Sequence, residues 1–162
     1  MADTLAALGN RFRFNTTFLR GLTKGFEPEQ WGRTLSDAGG NSAHWILGHI
    51  ASSRRLAVRL LGGDAAIAPW EAHFARGEEP GDAHDYPEPD VLARDFQTVG
   101  KQLVSILKEM GPEPQGQPWE GEPFPDGSDT LGGAAHFFHF HESYHLGQFG
   151  VLRRAFGLER VI

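Results

Sequence analysis

Apolar residues recur along this chain at helical rather than strand spacing, and they fall into four long blocks. In the first, Leu5, Leu8, Phe12, Leu19 and Leu22 repeat approximately every three or four residues. That spacing predicts a helix from about Asp3 to Thr23, with Gly25 and Pro28 beyond its end. The second block follows Gly39-Gly40, where Asn41 is the expected N-cap of a buried helix that opens Ser42-Ala43-His44-Trp45-Ile46-Leu47-Gly48-His49-Ile50 and ends near Leu61. Val91, Leu92, Phe96, Val99, Leu103, Ile106 and Leu107 form a third stripe, from about Pro89 to Met110, stopped by Gly111-Pro112. A fourth helix is expected to start with Asp129 or Thr130 as its cap and to reach about Phe156.

Long connections separate the later blocks. Gly62 to Pro89 carries Pro69, Pro80, Pro87 and Pro89, with Trp70 and Phe74 as expected anchors on the core. The stretch after Met110 is rich in Pro and Gly, with Trp119 and Phe124 in the same role. Four long helices and two long connections predict an all-α, four-helix bundle with at least one crossover connection, in one domain over residues 1–162. Composition agrees, since Leu and Ala total 33 against 11 for Val and Ile.

Charge and cysteine content narrow the function. The net charge of −6 argues against a nucleic-acid partner, although Arg54, Arg55 and Arg59 remain candidate anion sites. With no cysteine there is no disulfide, no thiolate metal ligand and no cysteine nucleophile, so any thiol in the chemistry must arrive with a substrate. No apolar run approaches the roughly 20 residues that span a bilayer, and the first residues lack a secretory layout. The expectation is a cytoplasmic protein without a membrane partner, in which Asn15-Thr16-Thr17 is a glycosylation sequon by chance.

Four of the eight histidines fall within the fourth helix: His136, His139, His141 and His145. At about 100° per residue, His141 and His145 are about 40° apart, while His136 and His139 point about 140° and 160° away from His141. Ala134, Phe137, Phe138, Leu152 and Phe156 share the face of His141 and His145, which places that pair in the bundle seam and His136 and His139 on a solvated or packing face. Two imidazoles one turn apart can both reach one divalent ion. A third ligand is expected from the second helix, where His49 stands among Trp45, Ile46, Ile50, Leu56 and Leu60, whereas His44 is about 140° away and is read as peripheral. Three nitrogens would leave an open coordination position, as catalytic sites do. The structural alternative is three satisfied core histidines.

His141-Glu142-Ser143-Tyr144-His145 also satisfies His-Glu-x-x-His, the zinc-peptidase pattern. Its extensions fail: Gln148 and Val151 stand where a metzincin needs Gly and His, and only Glu159 remains as a downstream carboxylate. Glu142 is therefore read as a solvated residue or a support to the ligands. Tyr144 and Gln148 are the candidate catalytic or substrate-contacting residues, with Ser53, Arg54 and Arg153 as weaker supports, the arginines for an anionic substrate. Glu78-Glu79 is read as solvated loop charge.

Taken together and in this order, Asn41-Ser42-Ala43-x-Trp45-Ile46-Leu47-Gly48-His49-Ile50 and His141-x-x-Tyr144-His145-x-Gly147-Gln148-x-x-x-Leu152-Arg153-Arg154 resemble the DinB-like, or YfiT-like, metalloenzyme superfamily across essentially the whole chain. The resemblance implies an up-down-down-up bundle, a homodimer, and a divalent metal on His49, His141 and His145. It also implies thiol-dependent transfer as one activity of the superfamily. The expected reaction is delivery of a low-molecular-weight thiol, activated by Zn²⁺ or Ni²⁺, to a small electrophile. A hydrolase activating water at the same site and a non-catalytic metal-binding or dimerisation module are the alternatives.

Overall fold

Four long helices carry the fold in the computed structural model: α1 (Leu5–Leu22), α2 (Ala43–Leu60), α3 (Pro89–Glu109) and α4 (Leu131–Ala155). The residues described are 5–36, 39–75, 77–78 and 80–162. The expected helix start at Asp3 and the second carboxylate of the Glu78-Glu79 pair lie outside them; Glu78 itself is exposed. The N-cap of α2 is Ser42 rather than Asn41, because the Ser42 hydroxyl is the one that accepts from the Trp45 amide, at 3.2 Å. Thr130 caps α4 in the same way through the Gly133 amide, at 3.1 Å.

Side-chain contacts fix the direction of each helix. Arg20 late in α1 meets Gln97 early in α3, whereas Gly9 faces Val104 and Leu107, so α1 and α3 are antiparallel. Asn15 meets Glu142 and Leu22 lies against Gly150, so α1 and α4 are parallel. Arg55 meets Asp95 while Gln102 reaches the Asp64 carbonyl just past α2, which makes α2 and α3 parallel. His49 faces His145 and Arg54 faces Glu142, so α2 and α4 are antiparallel. The order around the bundle is α1, α3, α2, α4, and the topology is up-down-down-up.

A parallel α2–α3 pair requires the chain to return along the bundle, and residues 61–88 do so. Glu71, in the 3-10 turn Pro69–Phe74, clamps this crossover onto α2 by accepting from Arg55 Nε (2.9 Å) and Arg59 Nη2 (2.7 Å). Phe74 is fully buried against Gly48, where a Cβ would lie 2.2–2.5 Å from its ring carbons. Gly48 is thus required for the close approach of the crossover to α2.

Two apolar clusters fill the interior. One contains Leu19, Leu22, Ile46, Ile50, Phe96 and Phe149; the other contains Leu5, Phe12, Val58, Leu61, Leu103 and Phe138. Arg54, Glu142 and Asn15 form a buried polar layer between them. The α3 stripe is narrower than its sequence suggests, since Val91 is exposed and Ile106 only half-buried at its flanks. Among the described residues no helix is long and apolar enough to cross a membrane.

Candidate metal centre

His49 on α2 and His141 and His145 on α4 meet in the seam between these antiparallel helices. One ring nitrogen from each lies within 4.8 Å of those of the other two. His49 and His145 are buried, and His141 is half-buried.

Hydrogen bonds on the far side of two rings decide which nitrogens face inward. A carbonyl oxygen can only accept, so His49 Nδ1 donates to the Phe74 carbonyl at 2.7 Å and His145 Nδ1 donates to Gln148 Oε1 at 2.8 Å. Both rings are thereby held with the Nε2 lone pair directed away from those partners. His49 Nε2 stands 3.0 Å from His141 Nε2. At that separation two lone pairs repel unless a proton or a cation is shared between them. Nitrogens bound to one ion at about 2.0–2.1 Å each stand roughly 3 Å apart at a near-right angle, so the observed spacing matches a common ligand shell.

The electrostatics favour the same use. Burial lowers the pKa of His49, partly opposed by its bond to Phe74. His145 is lowered to about 4 by burial and by the neighbouring His49, with the Gln148 bond acting in the other direction. Both are neutral near pH 7, the form that binds metal. The indole of Trp45 stacks on His49 at 4.7 Å between centroids, and the Tyr144 ring stands edge-on to His145 at 5.2 Å. Three imidazoles, two of them neutral with oriented N–H groups, suit a divalent transition-metal ion and leave a position for a fourth ligand.

The other predicted residues are distributed differently. Gln148 is brought to the site, where it orients His145. Tyr144 is 56% exposed beside it. Ser53 lies with Arg54, Ala57 and Phe138 rather than among the imidazoles. His136 is exposed and His139 packs edge-on to Phe12, as expected of the opposite face. His44 is not peripheral: it is buried, donates Nε2–H to the Pro87 carbonyl at 2.8 Å and packs on Tyr86, because the crossover folds over it.

Glu142 takes neither of its expected roles, solvated residue or support to the ligands. It is buried and accepts from Arg54 Nε (2.5 Å), Arg54 Nη2 (2.8 Å) and Asn15 Nδ2 (2.9 Å), so it is not available as the water-activating base of a zinc peptidase. Arg54 is equally committed, and Arg55 and Arg59 are neutralised by Glu71 and Asp95, which removes all three as substrate-anion sites. Arg153 binds the carbonyls of Leu22, Lys24 and Glu159 instead of an anion. The sequence held a signal for the buried pair: residues four and seven positions either side of Glu142 are Ala135, Phe138, Leu146 and Phe149, and those around Arg54 are Leu47, Ile50, Val58 and Leu61.

An up-down-down-up helical bundle with an open three-imidazole cluster in its α2–α4 seam defines a metal-competent scaffold. The chain belongs to the DinB superfamily, which it matches over residues 11–149. It is also similar in structure to YfiT from Bacillus subtilis, described as a probable metal-dependent hydrolase with an unusual four-helix bundle topology. The TM-score is 0.73 over 98% of this chain and 91% of YfiT, at 16% sequence identity, a likeness of fold. No curated protein matches the chain.

Proposed function

We propose that this chain is a metal-dependent enzyme in which His49, His141 and His145 hold one divalent ion, Zn²⁺ or Ni²⁺, and that it transfers a low-molecular-weight thiol to a small electrophile. The observation that carries this reading is the convergence of three imidazoles, two of which have their other N–H fixed by Phe74 and Gln148. A bound ion would supply Lewis acidity, lowering the pKa of a coordinated thiol or water so that its conjugate base attacks at neutral pH. Trp45 and the Phe74 carbonyl hold His49 in place, and Gln148 does the same for His145. Tyr144, exposed beside His145, is the candidate donor to a leaving group.

Removal of Glu142 from the site favours a thiol over water. Its carboxylate is saturated by Arg54 and Asn15, so it offers no base for water, whereas a thiol with an ordinary pKa near 8.5 needs little help to ionise. Absence of cysteine assigns the thiol to a cosubstrate. Hydrolysis at the same centre is the second reading, supported by the description of YfiT. The outer face of α4 exposes Phe140, Tyr144 and Val151 at helical spacing, which supports a homodimer.

The test is to load the protein with Zn²⁺ or Ni²⁺ and follow consumption of a panel of small thiols with alkyl halide and epoxide electrophiles, beside ester hydrolysis without thiol. Metal-dependent thiol consumption lost in His49→Ala supports transfer. Hydrolysis alone selects the second reading, and neither reaction in fully loaded protein overturns both.

A further inference from the structure

A cleft of about 280 Å³ opens between α1 and α3, on the opposite side of the bundle from the histidines. Arg13, Arg20 and Lys101 line it and no carboxylate does, in a chain whose net charge is −6. The inward-facing arginines elsewhere are each matched: Arg54 by Glu142, Arg55 and Arg59 by Glu71, and Arg153 by backbone carbonyls. Among the described residues neither Arg13 nor Lys101 enters an ion pair.

The cleft is also partly organised. Arg20 donates Nε and Nη2 to Gln97 Oε1 at 3.1 and 2.7 Å, which fixes its guanidinium against α3 and leaves Nη1 for a ligand. Gly100 forms the floor: a Cβ there would stand 2.2 Å from Arg54 Nη1, so the guanidinium of the Arg54–Glu142 pair lies directly beneath. Three cations around one concavity repel one another, and a multiply charged anion relieves that repulsion. Arginine forks match phosphate oxygens in geometry as well as charge.

We propose that this cleft binds a small phosphorylated ligand of the phosphate monoester or diphosphate class. Its volume lies near the lower limit of small-molecule sites, and the acidic remainder of the chain disfavours a long polyanion.

The test is a titration of the full chain with inorganic pyrophosphate at low ionic strength, read from backbone amide shifts, with citrate at matched ionic strength in parallel. Saturable shifts confined to Thr16, Gln97, Gly100 and Lys101 are expected. The Arg13→Gln/Lys101→Gln double variant should weaken binding on the order of tenfold or more, while Arg154→Gln/Arg160→Gln, an equal charge change elsewhere, should retain it. Circular dichroism should show both variants folded, because neither Arg13 nor Lys101 holds a structural partner. Shifts that fail to saturate, spread over all basic residues, or weaken equally in both double variants overturn the site. Citrate binding as tightly as pyrophosphate overturns the phosphate class.

Discussion

Two polar clusters lie side by side between α2 and α4, built from neighbouring residues, and they are opposites. Arg54 uses all five N–H donors: two on Glu142, one on Thr16, and two on the carbonyls of Phe12 and Phe96. The guanidinium also stacks on Phe96 at 3.4 Å from the ring centroid. That cluster draws on all four helices and has nothing left to offer a ligand. Beside it in the same seam, His49 and His145 are neutral, and His49 and His141 present nitrogens to one another rather than to donors. The difference separates two uses of buried polarity. A saturated network specifies how helices pack, and an unsaturated convergence is a place for something else to bind.

Substitutions should therefore have opposite signatures in the two clusters. The largest stability effect is expected for Arg54→Ala or Glu142→Ala, each of which leaves a buried charge without its partner and should cost about 3–5 kcal/mol in urea unfolding of the metal-free protein. His141→Ala, by contrast, should abolish metal binding while lowering metal-free stability by about 1 kcal/mol or less, because it removes a half-buried imidazole. Equal destabilisation by both would erase the distinction.

Gly48→Ala sharpens the comparison from the crossover side. The new methyl would displace the Phe74 ring, and with it the carbonyl that orients His49. A loss of about 1–3 kcal/mol is expected, together with weaker metal affinity by competition with a chelator. Gln148→Leu should leave stability nearly unchanged but weaken metal affinity about 10–100-fold, because His145 loses the acceptor that fixes its tautomer. Unchanged affinity would show that Gln148 does not orient the ligand.

The four helices were legible in the sequence because their apolar periods are long and regular; Leu5, Leu8, Phe12, Leu19 and Leu22 are all buried as predicted. The convergence of the three histidines was legible because His141 and His145 share a face and His49 sits on an apolar one. The Arg54–Glu142 pair was misread because charged residues are ordinarily solvated, although their apolar neighbours marked the positions. The partner of each could not be read at all, since helix phase gives a face and not the residue across the seam. Likewise, nothing in the sequence placed the Phe74 carbonyl 25 residues away over His49. That contact depends on the path of the crossover over Gly48.

The remaining prediction concerns pH dependence. Unfolded histidine takes up a proton near pH 6.5, whereas folded His145 does so only near 4. Between those values the unfolded chain binds more protons, so stability of the metal-free protein should fall as pH drops from about 6.5 to 4, with no further loss from this group below that. His49 is lowered in the same direction. His145→Gln should flatten the slope, measured by urea unfolding across that range.

Metal content per chain tests the central claim most directly, measured by elemental analysis of untagged protein after reloading with Zn²⁺ or Ni²⁺ and dialysis, for wild type beside His49→Ala and Arg154→Gln. The account predicts close to one ion per chain in wild type and Arg154→Gln, and none in folded His49→Ala. Wild type that retains no metal after reloading, or His49→Ala that retains as much as wild type, would contradict it.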